Sequence, residues 1–272
     1  MKKKKIIIPI LVLSLLAPTW YVNNYSIKLT KQTIYSEKVG NDIKIAVISD
    51  LHGEDLGKNN SKITGLISEQ NPDLIFVLGD MYTQNHYEQI DTAVELAENL
   101  SKTADTYVVT GDHDTDRKYT DKLSSLQNVY LMNYKKADLS INGTDITIYG
   151  IDNVYFSPTF DLHNEFDEPD SNRLNILLAH IPGTEHFEDF GVDIIFSGDT
   201  HGGIIRLPLI GPLYYNGYVL PKLTYPDRIT DKGLYSFSNK QICVTSGIGN
   251  YPAPLRFLNR PEVCIITLRN HS

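Results

Sequence analysis

Five apolar runs in this sequence each end in aspartate or histidine. Ile43 to Ser49 leads into Asp50-Leu51-His52, and Asp73 to Leu78 into Gly79-Asp80. Tyr107 to Thr110 leads into Gly111-Asp112-His113-Asp114, and Asn175 to Ala179 into His180. Asp193 to Ser197 leads into Gly198-Asp199-Thr200-His201-Gly202-Gly203. Carboxylate and imidazole, with no cysteine among them, form a donor set suited to two hard or borderline divalent cations. Two such ions some ~3.5–4 Å apart clamp the entering and leaving oxygens of a phosphoryl transfer and turn water into a nucleophile near neutral pH. One carboxylate has to bridge them, and Asp80 is the natural candidate.

The elements that must position these groups follow from periodicity. Ile75 to Leu78 is too short and too apolar for a surface helix and reads as a strand buried on both faces. A side chain just beyond such a strand lies at the carboxyl edge of a sheet, where open α/β folds place their ligands. Between the first strands, Ser61 to Glu69 and Ile90 to Leu100 carry apolar residues at helical spacing, and a shorter helix falls near Thr120 to Leu126. The first half is therefore βαβαβ, with parallel strands. Ala137 to Ile141 and Ile146 to Tyr149 predict a hairpin turning at Asn142-Gly143. Asn153 to Asn172 reads as an acidic surface loop at the rim of the site, and Leu207 to Thr230 as a long functional loop. Two last strands, Gln241 to Thr245 and Glu262 to Leu268, are expected to complete a second sheet.

The 272 residues suffice for a core that needs no disulfide, and Cys243 and Cys264, both inside apolar strands, read as small buried hydrophobes. A net charge of −8 argues against general nucleic-acid binding. Met1 is followed by four lysines and then by Ile6 to Ala17, an almost unbroken apolar run closed by Trp20-Tyr21. The run is either a cleaved signal peptide or an uncleaved anchor. Leu15-Leu16-Ala17-Pro18 is a poor cleavage site, which favours the anchor. Lysines ahead of the run put the remainder of the chain outside the cytoplasmic membrane. The expected organisation is a single-pass anchor over 1–22, a tether and edge strand over 23–40, and one domain over 41–272.

Asp50-x-His52, Gly79-Asp80, Gly111-Asp112-His113-Asp114, His180 and Gly198-Asp199-Thr200-His201 resemble, in order and spacing, the calcineurin-like metallophosphoesterases. The tail motifs Gly202-Gly203, Arg206-Leu207-Pro208, Gly233-Leu234-Tyr235, Ser246-Gly247-Ile248-Gly249 and Leu255-Arg256-Phe257 resemble a membrane-associated bacterial branch of that family. The resemblance implies a four-layer α/β/β/α sandwich of two mixed sheets. It implies a first metal held by Asp50, His52, His201 and a bridging Asp80, and a second held by Asp80, Asp112, His180 and Asp199. His113 would assist the leaving oxygen. Arg206 and Arg256 either hold a substrate phosphate or make ordinary salt bridges.

Three positions depart from the family pattern, which usually has Asn at Asp112, His at Asp199, and an Asp at Thr83 that pairs with the catalytic histidine. Four carboxylates then face the charge of two divalent ions, and the richer oxygen set shifts preference toward Mn²⁺ or Mg²⁺ and away from Zn²⁺; Mn²⁺ is the expected ion, with Mg²⁺, Fe²⁺ or Zn²⁺ as alternatives. The expected function is hydrolysis of a phosphate ester or pyrophosphate, on a phosphorylated small molecule or a lipid-linked substrate, by a hydroxide activated between the metals. The alternative is a catalytically impaired relative that binds a phosphorylated ligand or partner protein.

Overall fold

The computed structural model describes residues 14, 16–152, 160–215, 217–224 and 229–271. The first sheet is built from β1 (Lys28–Tyr35), β2 (Ile43–Ile48), β3 (Leu74–Leu78), β4 (Asp105–Val109), β5 (Val129–Leu131) and β16 (Glu262–Arg269), in the spatial order β1-β16-β2-β3-β4-β5. Strands β2 to β5 are parallel, and between them run α1 (Ser61–Ser68), α2 (Ile90–Ser101) and α3 (Arg117–Ser124). Helix α3 starts three residues earlier than its periodicity suggests, because the Asp116 carboxylate accepts the Lys118 N–H at 2.7 Å and caps it.

The second sheet has the order β14-β15-β9-β8-β7-β6, with β6 (Lys135–Ile141), β7 (Thr144–Gly150), β8 (Leu174–Leu178), β9 (Ile194–Ser197), β14 (Gly233–Phe237) and β15 (Lys240–Val244). β6 and β7 form the expected hairpin. Asn142 and Gly143 both have positive φ, as a two-residue turn matched to strand twist requires.

Alternation along the strands decides how the layers stack. Leu74, Phe76 and Leu78 join Ile176, Leu178 and Phe196 in one buried cluster between the sheets. Ile75 and Val77 point the other way and pack under α1, α2 and α3. The outer face of the second sheet is covered more thinly, by the four-residue α4 (Thr184–Phe187), a 3₁₀ turn and loops carrying Leu162, Phe166 and Phe190. The fourth layer is thus mostly irregular. The described part of the 153–172 segment belongs to that cover and does not stand at the rim of the site; residues 153–159 lie outside the described residues.

The last strand is a correction. β16 was expected in the second sheet but lies in the first, antiparallel to β2 and parallel to β1. The reason is the Ser246-Gly247-Ile248-Gly249 segment. Ile248 N donates to Ser49 O at 3.0 Å and Gly249 N to Asp50 O at 2.6 Å, drawing the chain from β15 across to the end of β2. A Cβ on Gly249 would stand 2.2 Å from Leu51 O, so only glycine permits this approach.

The 207–230 segment holds two small ribbons, β10 (Arg206–Leu207) with β11 (Gly211–Pro212) and β12 (Tyr214–Tyr215) with β13 (Tyr218–Val219), followed by α5 (Pro221–Thr224). Cys243 and Cys264 are buried free thiols. Most of the expected 1–22 anchor lies outside the described residues. Residues 16–25 are helical, and among the described residues no helix is long and apolar enough to cross a membrane.

Candidate metal centre

The carboxyl ends of β2, β3, β4, β8 and β9 converge where the two sheets meet, and every predicted metal ligand is there. Asp50, His52 and His201 form one close group, Asp50, Asp80 and His180 a second, and Asp112, His180 and Asp199 a third. Asp80 Oδ2 lies 3.7 Å from His52 Nε2 and 3.4 Å from His180 Nε2, between the two halves. His52 Nε2 and His201 Nε2 are 3.2 Å apart, and His201 Nε2 is 3.6 Å from Asp50 Oδ1. His180 Nε2 also faces Asp112 at 3.4 Å and Asp199 at 3.9 Å.

The backbone is bent to achieve this. Asp50, His52, Asp80, Asp199 and His201 all have φ between 47° and 65°. Non-glycine residues rarely adopt that region, at a cost on the order of 1–2 kcal/mol each, and such strain gathers at functional sites. Gly111 makes room: a Cβ there would meet Asp80 Oδ1 at 2.1 Å.

Neighbouring groups aim each donor. His180 Nδ1 donates to Leu78 O at 2.6 Å, which aims Nε2 inward as the nitrogen that would ligate once a cation displaces its proton. Among the described residues no group makes a well-aligned hydrogen bond to that buried Nε2. Ser49 Oγ donates to Asp50 Oδ2, and the His113 N–H donates to Asp80 Oδ1 at 2.9 Å. Sequence reasoning missed the Ser49 and Leu78 contacts, which carry no signal of their own in one sequence.

The electrostatics fit a cation. Burial pushes the Asp50 carboxyl up to about 7. His180 is raised well above the ordinary histidine value, because the nearby Asp80 and Asp112 carboxylates outweigh its burial. A proton there stands in for the positive charge the carboxylates lack. Burial holds His52 down at about 4 and His201 well below its usual value, the Arg256 guanidinium adding to the effect on His201. Both rings are therefore neutral, as ligands must be. Two imidazoles with two carboxylates on one side, and one imidazole with three carboxylates on the other, fit two divalent ions.

His113 is half-buried beside this cluster. The Gln84 N–H donates to its Nδ1 at 3.0 Å, so the ring hydrogen of the neutral tautomer is on Nε2. Thr83, which replaces the expected aspartate, touches His52 instead, with Oγ1 3.4 Å from Nδ1. Asp114 accepts the N–H groups of Met81, Tyr82 and Gly111 at 3.0 to 3.3 Å and supports the loop, not His113. Tyr251 stacks on His52 at 4.5 Å and meets His113 edge-on at 4.7 Å.

The two arginines serve the scaffold. Arg256 is 3% exposed and donates to the carbonyls of Ser246, Gly249 and Asn259. Arg206 pairs with Asp231 and donates to Gly202 O at 2.7 Å. The salt-bridge alternative describes Arg206, and a carbonyl clamp describes Arg256. His86, His163 and His271 are exposed and His186 is half-buried, all outside the cluster.

The fold and this cluster define a metal-dependent hydrolase of phosphoric esters. The chain belongs to the calcineurin-like phosphoesterase family, whose model matches residues 43–203. It is 28% identical over 262 residues to the metallophosphoesterase YkuE of Bacillus subtilis (strain 168), covering 92% of this chain and 88% of that one. It is 28% identical over 234 residues to the phosphodiesterase YaeI of Escherichia coli (strain K12), covering 83% and 82%. A third relative, the UDP-2,3-diacylglucosamine pyrophosphatase LpxG of Chlamydia muridarum (strain MoPn / Nigg), is 24% identical over 277 residues, covering 82% and 83%.

Proposed function

We propose that this protein hydrolyses a phosphodiester or pyrophosphate bond at a two-cation centre, outside the cytoplasmic membrane to which its first twenty-two residues anchor it. The observation that carries the reading is Asp80 Oδ2 standing between His52 Nε2 and His180 Nε2, at 3.7 Å and 3.4 Å. Asp50, His52, His201 and Asp80 would hold one ion, and Asp80, Asp112, His180 and Asp199 the other. When bound, the ions supply neutralisation of phosphoryl charge and activation of water. The oxygen-rich second set favours Mn²⁺. Phosphodiesterase and pyrophosphatase activities in the names of two relatives support the bond type. The lysine run and the apolar run that follows support the location.

The chain's own groups divide the work. His113 offers Nε2–H to a phosphoryl or leaving oxygen, with Nδ1 fixed by Gln84. Tyr251 braces both His52 and His113 and keeps water from one side of the rings. Asp112 and Asp199, with side chains 25% and 38% exposed, mark the open edge where substrate arrives.

The test is hydrolysis of bis-p-nitrophenyl phosphate by the purified protein with Mn²⁺, Mg²⁺, Fe²⁺ or Zn²⁺, alongside metal analysis. Turnover with two ions per chain supports the reading. Folded protein with one ion or none and no turnover would replace it with the ligand-binding alternative.

A further inference from the structure

A cavity of about 430 Å³ opens directly beside Asp199 and His201. Its walls are Ile204, Ile205, Leu213, Tyr214, Tyr215 and Leu255, which is an apolar lining for a site next to a cluster of carboxylates. Elsewhere on the 204–224 and 253–258 segments that supply these walls, Leu209, Val219, Leu223, Phe257 and Leu258 are half or more exposed, or nearly so, with Leu209 wholly in solvent. Exposed apolar groups gathered on one face mark a surface meant to be covered.

Three independent features say by what. Residues 16–25 are tied to this face: Trp20 Nε1 donates to Pro254 O at 2.7 Å, Arg256 N to Asn24 Oδ1 at 2.9 Å, and Asn250 Nδ2 to Asn24 O at 2.9 Å. The lysine-led apolar run therefore joins the chain here and not on the opposite side. The ribbons and the 253–258 loop are joined as well, through the Ile205–Phe257 bridge. Finally, residues 1–36, 200–224 and 245–261 contain no Asp or Glu, in a chain whose net charge is −8. Asp231, which pairs with Arg206 and Lys222, is fully buried, so apart from Asp199 in the cavity wall this face shows few carboxylates beside Arg260, which suits an anionic bilayer surface.

We propose that the cavity beside Asp199 and His201 receives the hydrocarbon tail of a membrane-resident phosphate ester whose phosphate enters the metal centre. This rests on the phosphoesterase reading and narrows its substrate class to amphiphiles drawn from the bilayer that this face contacts. A tail lying between Leu213 and Leu255 removes methylenes from water, and each one buried strengthens binding.

The experiment measures dissociation constants of ethyl, butyl, hexyl and octyl phosphate for the full chain loaded with Mn²⁺, by ³¹P line broadening, which needs no turnover. The expected result is tightening by about twofold to fourfold per added methylene. A Leu213→Ser/Leu255→Ser variant, changed only at exposed positions, is expected to flatten the series while leaving ethyl phosphate unaffected. Equal affinity across the series, AMP binding more tightly than octyl phosphate, or equal loss for all chain lengths in the variant overturns the tail site alone. Failure of every phosphate to bind overturns the metal-centre reading and the tail site with it.

Discussion

His180 Nδ1 donates to the carbonyl of Leu78 at 2.6 Å, joining a ligand that follows a strand of the second sheet to the last residue of a strand in the first. The ring cannot turn without breaking a buried hydrogen bond, so its Nε2 is held against Asp80. The two halves of the metal centre are thereby set by the packing of the sheets. His180→Ala is expected to empty the second site and leave the first partly filled, at about one ion per chain by metal analysis.

The protonation pattern makes metal binding and stability pH-dependent. Asp50, at about 7, and His180, raised above its ordinary value, hold protons in the metal-free site that cations must displace. Raised values in the folded state mean that metal-free stability is lost as pH climbs through them. Asp114, raised to about 8 mainly by burial, acts in the same direction. His52 and His201 have lowered values, so their contributions change only below about 6.5. Between pH 6.5 and 8.5 the metal-free Tm is therefore expected to fall. The Tm increase on adding Mn²⁺ should grow over that range, and Mn²⁺ titrated at pH 6.5 should release protons, measured by calorimetry in buffers of different ionisation enthalpy.

His113 and Asp80 should separate chemistry from metal binding. His113→Ala removes the Nε2–H donor but no proposed ligand, so kcat is expected to fall about 10²–10⁴-fold with both ions retained. Asp80→Asn weakens the bridge, and both metal content and activity should drop together. Equal metal loss in the two variants would place His113 among the ligands.

Asp199 Oδ1 lies 3.9 Å from His180 Nε2 and faces the second site. Replacing its oxygen with imidazole in Asp199→His is expected to raise Zn²⁺ affinity relative to Mn²⁺. Competition dialysis against both metals reads the ratio, and an unchanged ratio would mean that the residue does not ligate.

Phe76, fully buried, meets Phe196 of the opposite sheet at 5.2 Å and Tyr107 at 6.2 Å, both edge-on. Phe76→Ala opens a void between the sheets and should cost about 3–5 kcal/mol, read from the denaturation midpoint. The metal-loaded protein should recover part of that loss, because ions bind only the assembled sheets.

By itself the sequence determined the donors and the strands that carry them. Each strand is a short apolar run with aspartate or histidine just beyond it, and that pattern is local, so it survives in one dimension. That pattern marked the strand ends, and the resemblance to the calcineurin-like family then singled out Asp50, His52, Asp80, Asp112, His180, Asp199 and His201 among the groups found there. The tertiary structure alone decided which sheet receives β16, because that depends on hydrogen bonds from Ile248 and Gly249 to residues two hundred positions away. It likewise decided that Arg256 clamps carbonyls, that Gln84 orients His113, and that an apolar cavity opens beside Asp199. Backbone amides and carbonyls leave no trace in residue identity, and a cavity belongs to no single segment. Contacts of those kinds exist only once the two sheets have closed on one another.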